Sequence, residues 1–427
     1  MDRKFTSLLV LSLSVVLILS FGASARTTLT FWKHVHPPAD ALLKEIIAEF
    51  EAENPDIKIV VETVPHDQYI PKLLTAMTSG GGPDLFDLSD TDVTAFMKRN
   101  VFAPITYEAL GFASQDEYES QWLPTSLDSF KNDKGEICGL PFEYNSWQLF
   151  INELHFEEAG LDPEKDAPKT WDDFLELAPK LTVTENGRIV RQGMAWPYGL
   201  AAGWYLLNFE PIVLQYGGSI LSEDGTRAAL DSEAALKAAQ IWYDTVHTYK
   251  VTSPLVGVSS SANPNQDFAD GNVAMWISGP WAAATLEVNP EVYNNYRVVN
   301  LPQADPDNPI FMTSAWAWFV AATSKHKEAA WKFIDFASQR QPQWLDRAGY
   351  IIPREGWFDT PEALAFKDLD VFLYGMANGR PRVQTEHYSE VGAALQRALD
   401  RIVMEGVKPA DAMKQAQQEI DRVLQGY

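Results

Sequence analysis

The stretch LTFWKHVHPPADALLKEIIAEFEAENPDIKIVV, Leu29 to Val61, changes its apolar period twice. Leu29 to Trp32 alternates as a short strand. After the Pro37-Pro38 breaker, Leu43, Ile46, Ile47 and Phe50 recur on one helical face. Asn54-Pro55 closes that helix, and Ile57, Ile59 and Val61 alternate as a second strand. Strand, helix and strand in this order predict parallel pairing, because parallel neighbours need a crossover. The pattern repeats at once: Tyr69 to Met77 reads as a helix, Gly80, Gly81, Gly82 and Pro83 terminate it, and Leu85 to Leu88 reads as a buried strand. An α/β sheet of this kind turns the carboxyl ends of its strands, and the loops that follow them, to one edge.

Past Gly139-Leu140-Pro141 the alternation continues with the apolar run Trp147 to Ile151 and a helix from Thr170 to Leu181, opened by Thr170 and Asp173 as an S/T-x-x-D/E signal. Further helices are expected at Ala234 to Tyr249, His326 to Ser338, Val391 to Met404 and Pro409 to Leu424. A chain of 427 residues exceeds what one hydrophobic core serves, so two domains are expected. No internal repeat and no long linker separates them, which points to a chain that crosses between its domains more than once.

At the amino terminus Asp2, Arg3 and Lys4 precede an apolar and hydroxyl run from Phe5 to Phe21, followed by Ala23, Ser24 and Ala25. This is the pattern of a secretory signal peptide spanning 1–25, with the mature chain starting near Arg26. The single cysteine, Cys138, lies deep in the chain, so neither a disulfide framework nor a lipid-bearing cysteine beside the leader is expected. The expected address is the periplasm. Net charge is -24, and loss of Asp2, Arg3 and Lys4 removes one positive charge to leave -25. Such a field repels phosphate backbones, which excludes nucleic acid as a partner, and favours a soluble monomer.

Catalytic signatures are missing. There is no G-x-S-x-G elbow, no HExxH helix and no Cys-His arrangement. Two carboxylates suffice for glycoside cleavage, but with 58 acidic residues chance pairs are guaranteed and carry no signal of a glycan hydrolase. His34-x-His36 places two imidazoles on one side of a strand, yet no third ligand is spaced to complete a metal shell. Neither enzymatic activity nor a metal or cofactor is therefore expected.

Five segments in order resemble the extracellular solute-binding protein family typified by maltose-binding protein: Leu73 to Phe86, Gly139 to Asp162 with Pro168 to Leu181, Phe268 to Ala282, Lys327 to Ser338 and Gly349 to Glu355. The resemblance implies a type II periplasmic-binding-protein-like α/β fold, with two lobes, three interlobe crossovers and a ligand cleft between them. It places the crossovers near Gly139, Phe311 and Ile352. Residues 26–139 and 312–351 would form the amino-terminal lobe, and 140–311 with 352–427 the carboxyl-terminal lobe. It further implies hinge closure around a small ligand and delivery to the permease subunits of an ABC importer, driven by a separate ATPase subunit.

A pyranose offers C–H faces and a rim of hydroxyls, so its site needs flat aromatic surfaces and planar polar side chains. By resemblance the first contact region holds Trp32, His34 and His36; the second, Asp87 and Asp90; the third, Tyr144 and Asn145. Trp196, Trp204 and Trp281 would furnish stacking faces, and Arg382 with Tyr388 a late cleft loop. Each has a structural reading beside the functional one. Tryptophans fill cores, Asp87 to Asp90 can cap a helix starting near Thr91, Tyr144 and Asn145 can brace a crossover, and Arg354 can form an interlobe salt bridge. The expected ligand is a neutral mono- or oligosaccharide. A glycerol phosphate, a polyol or a cationic solute stands as the alternative.

Overall fold

The computed structural model describes residues 26–124, 126–198, 200, 202–253 and 264–426; the expected leader at 1–25 lies outside them. The strand, helix and strand read first form as β1 (Thr27–His34), helix Pro37–Glu53 and β2 (Ile57–Val64), with the two strands parallel along their whole length. Pro37 and Pro38 sit in the first helical turn, where a missing N–H leaves no bond unmade. Leu42, Leu43, Ile46, Ile47 and Phe50 are buried on one face of that helix. Each large apolar side chain buried in this way contributes about 1.5–3 kcal/mol.

The other strands are β3 (Leu85–Ser89), β4 (Gly139–Ser146), β5 (Gln148–Asn152), β6 (Val183–Glu185), β7 (Arg188–Arg191), β8 (Met275–Ser278), β9 (Tyr296–Val299), β10 (Phe311–Val320) and β11 (Gly379–Pro381). The larger sheet runs β11-β10-β3-β1-β2, with β4 also paired to β10; a smaller sheet runs β8-β5-β9. Strand β10 organises the larger sheet. Thr313 faces Ser146 on one side and Pro381 on the other, whereas Trp316 faces Glu143 and Ser89. Along one edge of β10 the partner therefore changes from β11 to β3 across Ser314 and Ala315. Strand β11 is parallel to β10 and β3 antiparallel, so their carboxyl ends point at each other across this gap.

Three passages carry the chain between the sheet core and the cores beyond it. Leu140 and Phe142 of β4 lie in the core of the larger sheet, and Leu149 and Ile151 of β5 in that of the helical bundle formed by Ala202–Gln215, Glu233–Tyr243, Tyr388–Glu405 and Pro409–Leu424. The bundle core is reached at Trp147, after β4 has kept its pairing with β10 from Gly139 to Ser146. Strand β10 makes the second, from Phe311 and Met312 in the bundle core to Trp318 and Val320 in the sheet core. At the third, Ile352 belongs to the sheet core and Ile351 and Trp357 to the packing beneath β8 and β9.

Thr170 forms a complete capping box. Its hydroxyl accepts from the Asp173 N–H at 3.0 Å and the Asp173 carboxylate accepts from the Thr170 N–H at 2.9 Å, starting helix Trp171–Leu181. The helix expected from Ala234 to Tyr249 is regular only to Tyr243 and widens into a π-turn over Asp244–Thr248. The cause is Thr245, whose hydroxyl donates to the Trp242 carbonyl at 2.8 Å and accepts from the Trp196 indole N–H at 2.9 Å.

Candidate functional site

The carboxyl ends of β1 and β3 are tied together. The Tyr69 hydroxyl lies 2.9 Å from the carbonyl oxygens of both Trp32 and Asp87. Asp87, fully buried, accepts from the His34 backbone N–H at 3.1 Å and lies 2.8 Å from His34 Nδ1. The His34 ring rests on Trp316 with centroids 3.9 Å apart. Trp32 is half-buried under the Lys72 ammonium, 4.3 Å from its ring centre. His36 follows at the helix entrance, stacked on Tyr350 at 5.2 Å, and both its ring nitrogens are buried without a hydrogen-bond partner among the described residues. Burial, helped by His34 and Lys33, pushes its pKa down to about 3.

Helix Asp90–Met97 starts behind Ser89 with no side-chain cap, so Asp87 and Asp90 do not serve as capping residues. Asp90 instead reaches across the gap in the sheet. Arg382, one residue past β11, is buried and donates to the Asp90 carboxylate and, at 2.7 Å, to Ser89 Oγ. The guanidinium stands 5.8 Å from the Tyr388 ring centre, and Arg382 Nε and the Tyr388 hydroxyl are buried with no hydrogen-bond partner among the described residues.

Two carboxyls join them from positions not singled out in the sequence. Glu143 on β4 accepts from the Asn145 amide at 2.9 Å; Glu210, in the apolar helix Ala202–Gln215, accepts from the Val383 N–H at 2.8 Å and leaves Oε2 buried and unpartnered. Burial pushes each up to about 8 against the pull of Arg382, and raises the half-buried Asp92 to about 7. A lone carboxylate in the run YLLNFEPIVL was the signal available for Glu210.

Asn145 is a brace. Its side-chain oxygen accepts from Ser314 Oγ at 2.9 Å, which in turn accepts from the Trp147 indole at 2.9 Å, so its amide is spent on the junction of β4 and β10. The half-buried Tyr144 ties the same junction to the third passage, its N–H donating to the Ile351 carbonyl at 2.9 Å. Trp281, in the Gly279-Pro280-Trp281 turn after β8, packs against both the bundle core and the sheet core. Its indole meets Trp147 edge-on at 5.0 Å and Trp204 at 6.4 Å.

Trp196 corrects the sequence expectation. It is 1 % exposed, stacked on Trp242 at 4.3 Å with its N–H spent on Thr245, and so belongs to the bundle core rather than to a stacking face. Arg354 is likewise structural, buried against Asp335 at 3.0 Å and Gln121 at 2.7 Å.

The raised carboxyls carry a pH prediction. Folded Glu143 and Glu210 keep protons that an unfolded chain sheds near pH 4.5, so their contribution is full below about 4.5 and is lost as pH rises through about 8. His36 acts in the opposite sense: its folded pKa lies below the ordinary 6.5, so its contribution is present above that pH and lost as pH falls toward about 3. Between pH 6.5 and 8 the melting temperature is expected to fall, and Glu143→Gln to flatten that fall. Parallel declines in the two proteins would refute the assignment.

Residues 35–344 match the profile of the family described as bacterial extracellular solute-binding protein. The chain belongs to that family. The sn-glycerol-3-phosphate-binding periplasmic protein UgpB of Escherichia coli (strain K12) is 26% identical over 370 residues, 83% of this chain and 81% of that protein. Among solved structures, the ABC substrate-binding protein Lmo0181 of Listeria monocytogenes, in complex with cycloalternan, is similar at a TM-score of 0.81 and 23% identity, covering 94% of this chain and 100% of that one. An ABC transporter solute-binding protein of Thermotoga lettingae, bound with alpha-D-tagatose, has a TM-score of 0.81 and 25% identity, covering 93% and 100%. The fold is the two-lobed α/β architecture of type II periplasmic binding proteins, and the chain is a solute-binding protein of an ABC transporter. These relatives are binding proteins rather than enzymes, and no helix among the described residues is long and apolar enough to cross a membrane.

Proposed function

We propose that the protein captures a neutral, polyhydroxylated solute, a sugar or sugar-like molecule, where β11 and β3 face each other along β10. The observation that carries this is the charge balance of the site. Arg382 is paired with Asp90, and Glu143, Glu210 and Asp92 are raised toward the neutral form. A protonated carboxyl both donates and accepts, as a sugar hydroxyl does. The unpartnered His36 nitrogens, Glu210 Oε2, Arg382 Nε and Tyr388 hydroxyl supply open hydrogen-bonding positions, and Trp204 and Trp281 the apolar faces. Trp32, His34, Asp87 and Tyr144 line or support the same region. The cycloalternan and alpha-D-tagatose held by the Listeria and Thermotoga proteins support this reading, whereas the sn-glycerol-3-phosphate-binding relative of Escherichia coli makes glycerol phosphate the competitor.

In this reading the lobes close on the ligand because the closed state binds it better, and the closed form is what the permease accepts. A separate ATPase subunit supplies the energy. The protein itself is a monomer of the periplasm, exported through a leader at 1–25, and performs no chemistry. Its lobes are taken as 26–139 with 312–351 and 140–311 with 352–427. The test is a thermal-shift screen of the mature protein against neutral sugars, polyols, glycerol phosphates and cationic osmolytes. A ligand at 100 times its dissociation constant adds about 2.7 kcal/mol. Shifts with neutral sugars or polyols are expected; shifts with phosphates or cations alone would overturn the ligand class.

A further inference from the structure

We infer that Asp90 sets the charge selectivity of this site: its carboxylate occupies the Arg382 guanidinium and closes the cleft to phosphorylated and other anionic solutes. The inference rests on the neutral-solute reading and assigns it to one residue. Asp90 and Arg382 meet because β3 and β11 end head to head on the same edge of β10, each followed at once by its charged residue. Both side chains are buried, at 4 % and 6 % exposure, so the pair is shielded from water and salt.

A guanidinium receives a phosphate through two parallel N–H donors. Here one amino group of Arg382 is already committed to Asp90 Oδ1 and Ser89 Oγ, and Ser89 Oγ lies 3.2 Å from the same Asp90 oxygen, which fixes the carboxylate in place. An incoming phosphate would stand beside the Asp90 carboxylate, which is already held against the guanidinium. Like charges in a desolvated cleft repel strongly. A hydroxyl meets no such penalty, because Arg382 Nε remains open to a neutral acceptor. Removal of the Asp90 charge frees the fork and leaves a buried cation in need of an anion.

The experiment is calorimetric titration of the mature full-length protein with inorganic phosphate and with sn-glycerol 3-phosphate. It compares the wild type, Asp90→Asn, Asp90→Ser and the double variant Asp90→Asn/Arg382→Gln, each checked for folding by its melting curve. Both single variants are expected to bind phosphate at least tenfold more tightly than the wild type, with the gain abolished in the double variant. The inference is overturned by single variants that bind phosphate no better than the wild type, by a gain that survives loss of Arg382, or by a wild type that itself binds phosphate tightly. Should neither single variant fold, the wild-type titration still decides, since tight phosphate binding there contradicts the lock. A parallel titration with neutral sugars separates the two readings. A wild type silent to every sugar, beside an Asp90→Asn protein that gains phosphate, sinks the neutral-solute reading and leaves the role of Asp90 standing.

Discussion

Gly349→Ala is expected to destabilise the protein by about 3 kcal/mol and to weaken ligand capture with it. Gly349 ends helix Gln341–Ala348 with φ of 66°, a left-handed conformation that costs an L-residue roughly 1–2 kcal/mol. A Cβ there would fall 2.3 Å from the Pro280 carbonyl oxygen and 2.7 Å from Trp281 Cα. Both are backbone atoms and cannot rotate aside, so the turn or the passage must move. That turn carries the indole lying between the two cores, which is why a substitution at the start of the third passage should reach the site. Gly356→Ala is the control, with φ of 81° and no atom within 4 Å of the added carbon. It should cost only the backbone term, about 1 kcal/mol, and spare binding. Equal losses of melting temperature in the two variants would show that contact with the turn does not matter.

Gly279→Ala is expected to reduce affinity for the identified ligand about as much as Trp281→Ala, by roughly 30-fold or more, as for a central aromatic anchor. The indole of Trp281 folds over Gly279 so closely that a Cβ would lie 1.8 Å from Cζ3 and 2.2 Å from Cη2. The ring has to leave, and its edge-to-face contacts with Trp147 and Trp204 go with it, each worth about 0.5–1.5 kcal/mol. The readout is calorimetric titration beside a melting curve. Wild-type affinity in both variants would remove Trp281 from the site, while wild-type affinity in Gly279→Ala alone would show that the ring finds a second productive position.

How far the site is legible in sequence depends on the residue. Trp196 and Trp281 are the same residue type in similar apolar surroundings, yet one is a core stack and the other stands between two cores. The family motif around Gly279-Pro280-Trp281 favoured the second; for Trp196 residue type alone was no guide. Asp90 and Arg382 were both candidates, but nothing local couples residues 292 positions apart. Glu143 lies within the segment Gly139 to Asp162, but alternation cannot show that an acidic side chain in a strand points inward among carboxylates.

Period, punctuation and capping are properties of about ten consecutive residues, and they were sufficient for the α/β alternation, the helix from Pro37, the box at Thr170 and the expectation of more than one core. The site was not contained in them. It arises where β11 and β3 share one edge of β10 and present their carboxyl ends to each other. That register brings distant charges into contact, and burial then decides which carboxyls pair and which hold their protons. Pairing partners and desolvation depend on the whole packed chain, which is why only the tertiary structure turned a set of polar and aromatic candidates into a charge-balanced site.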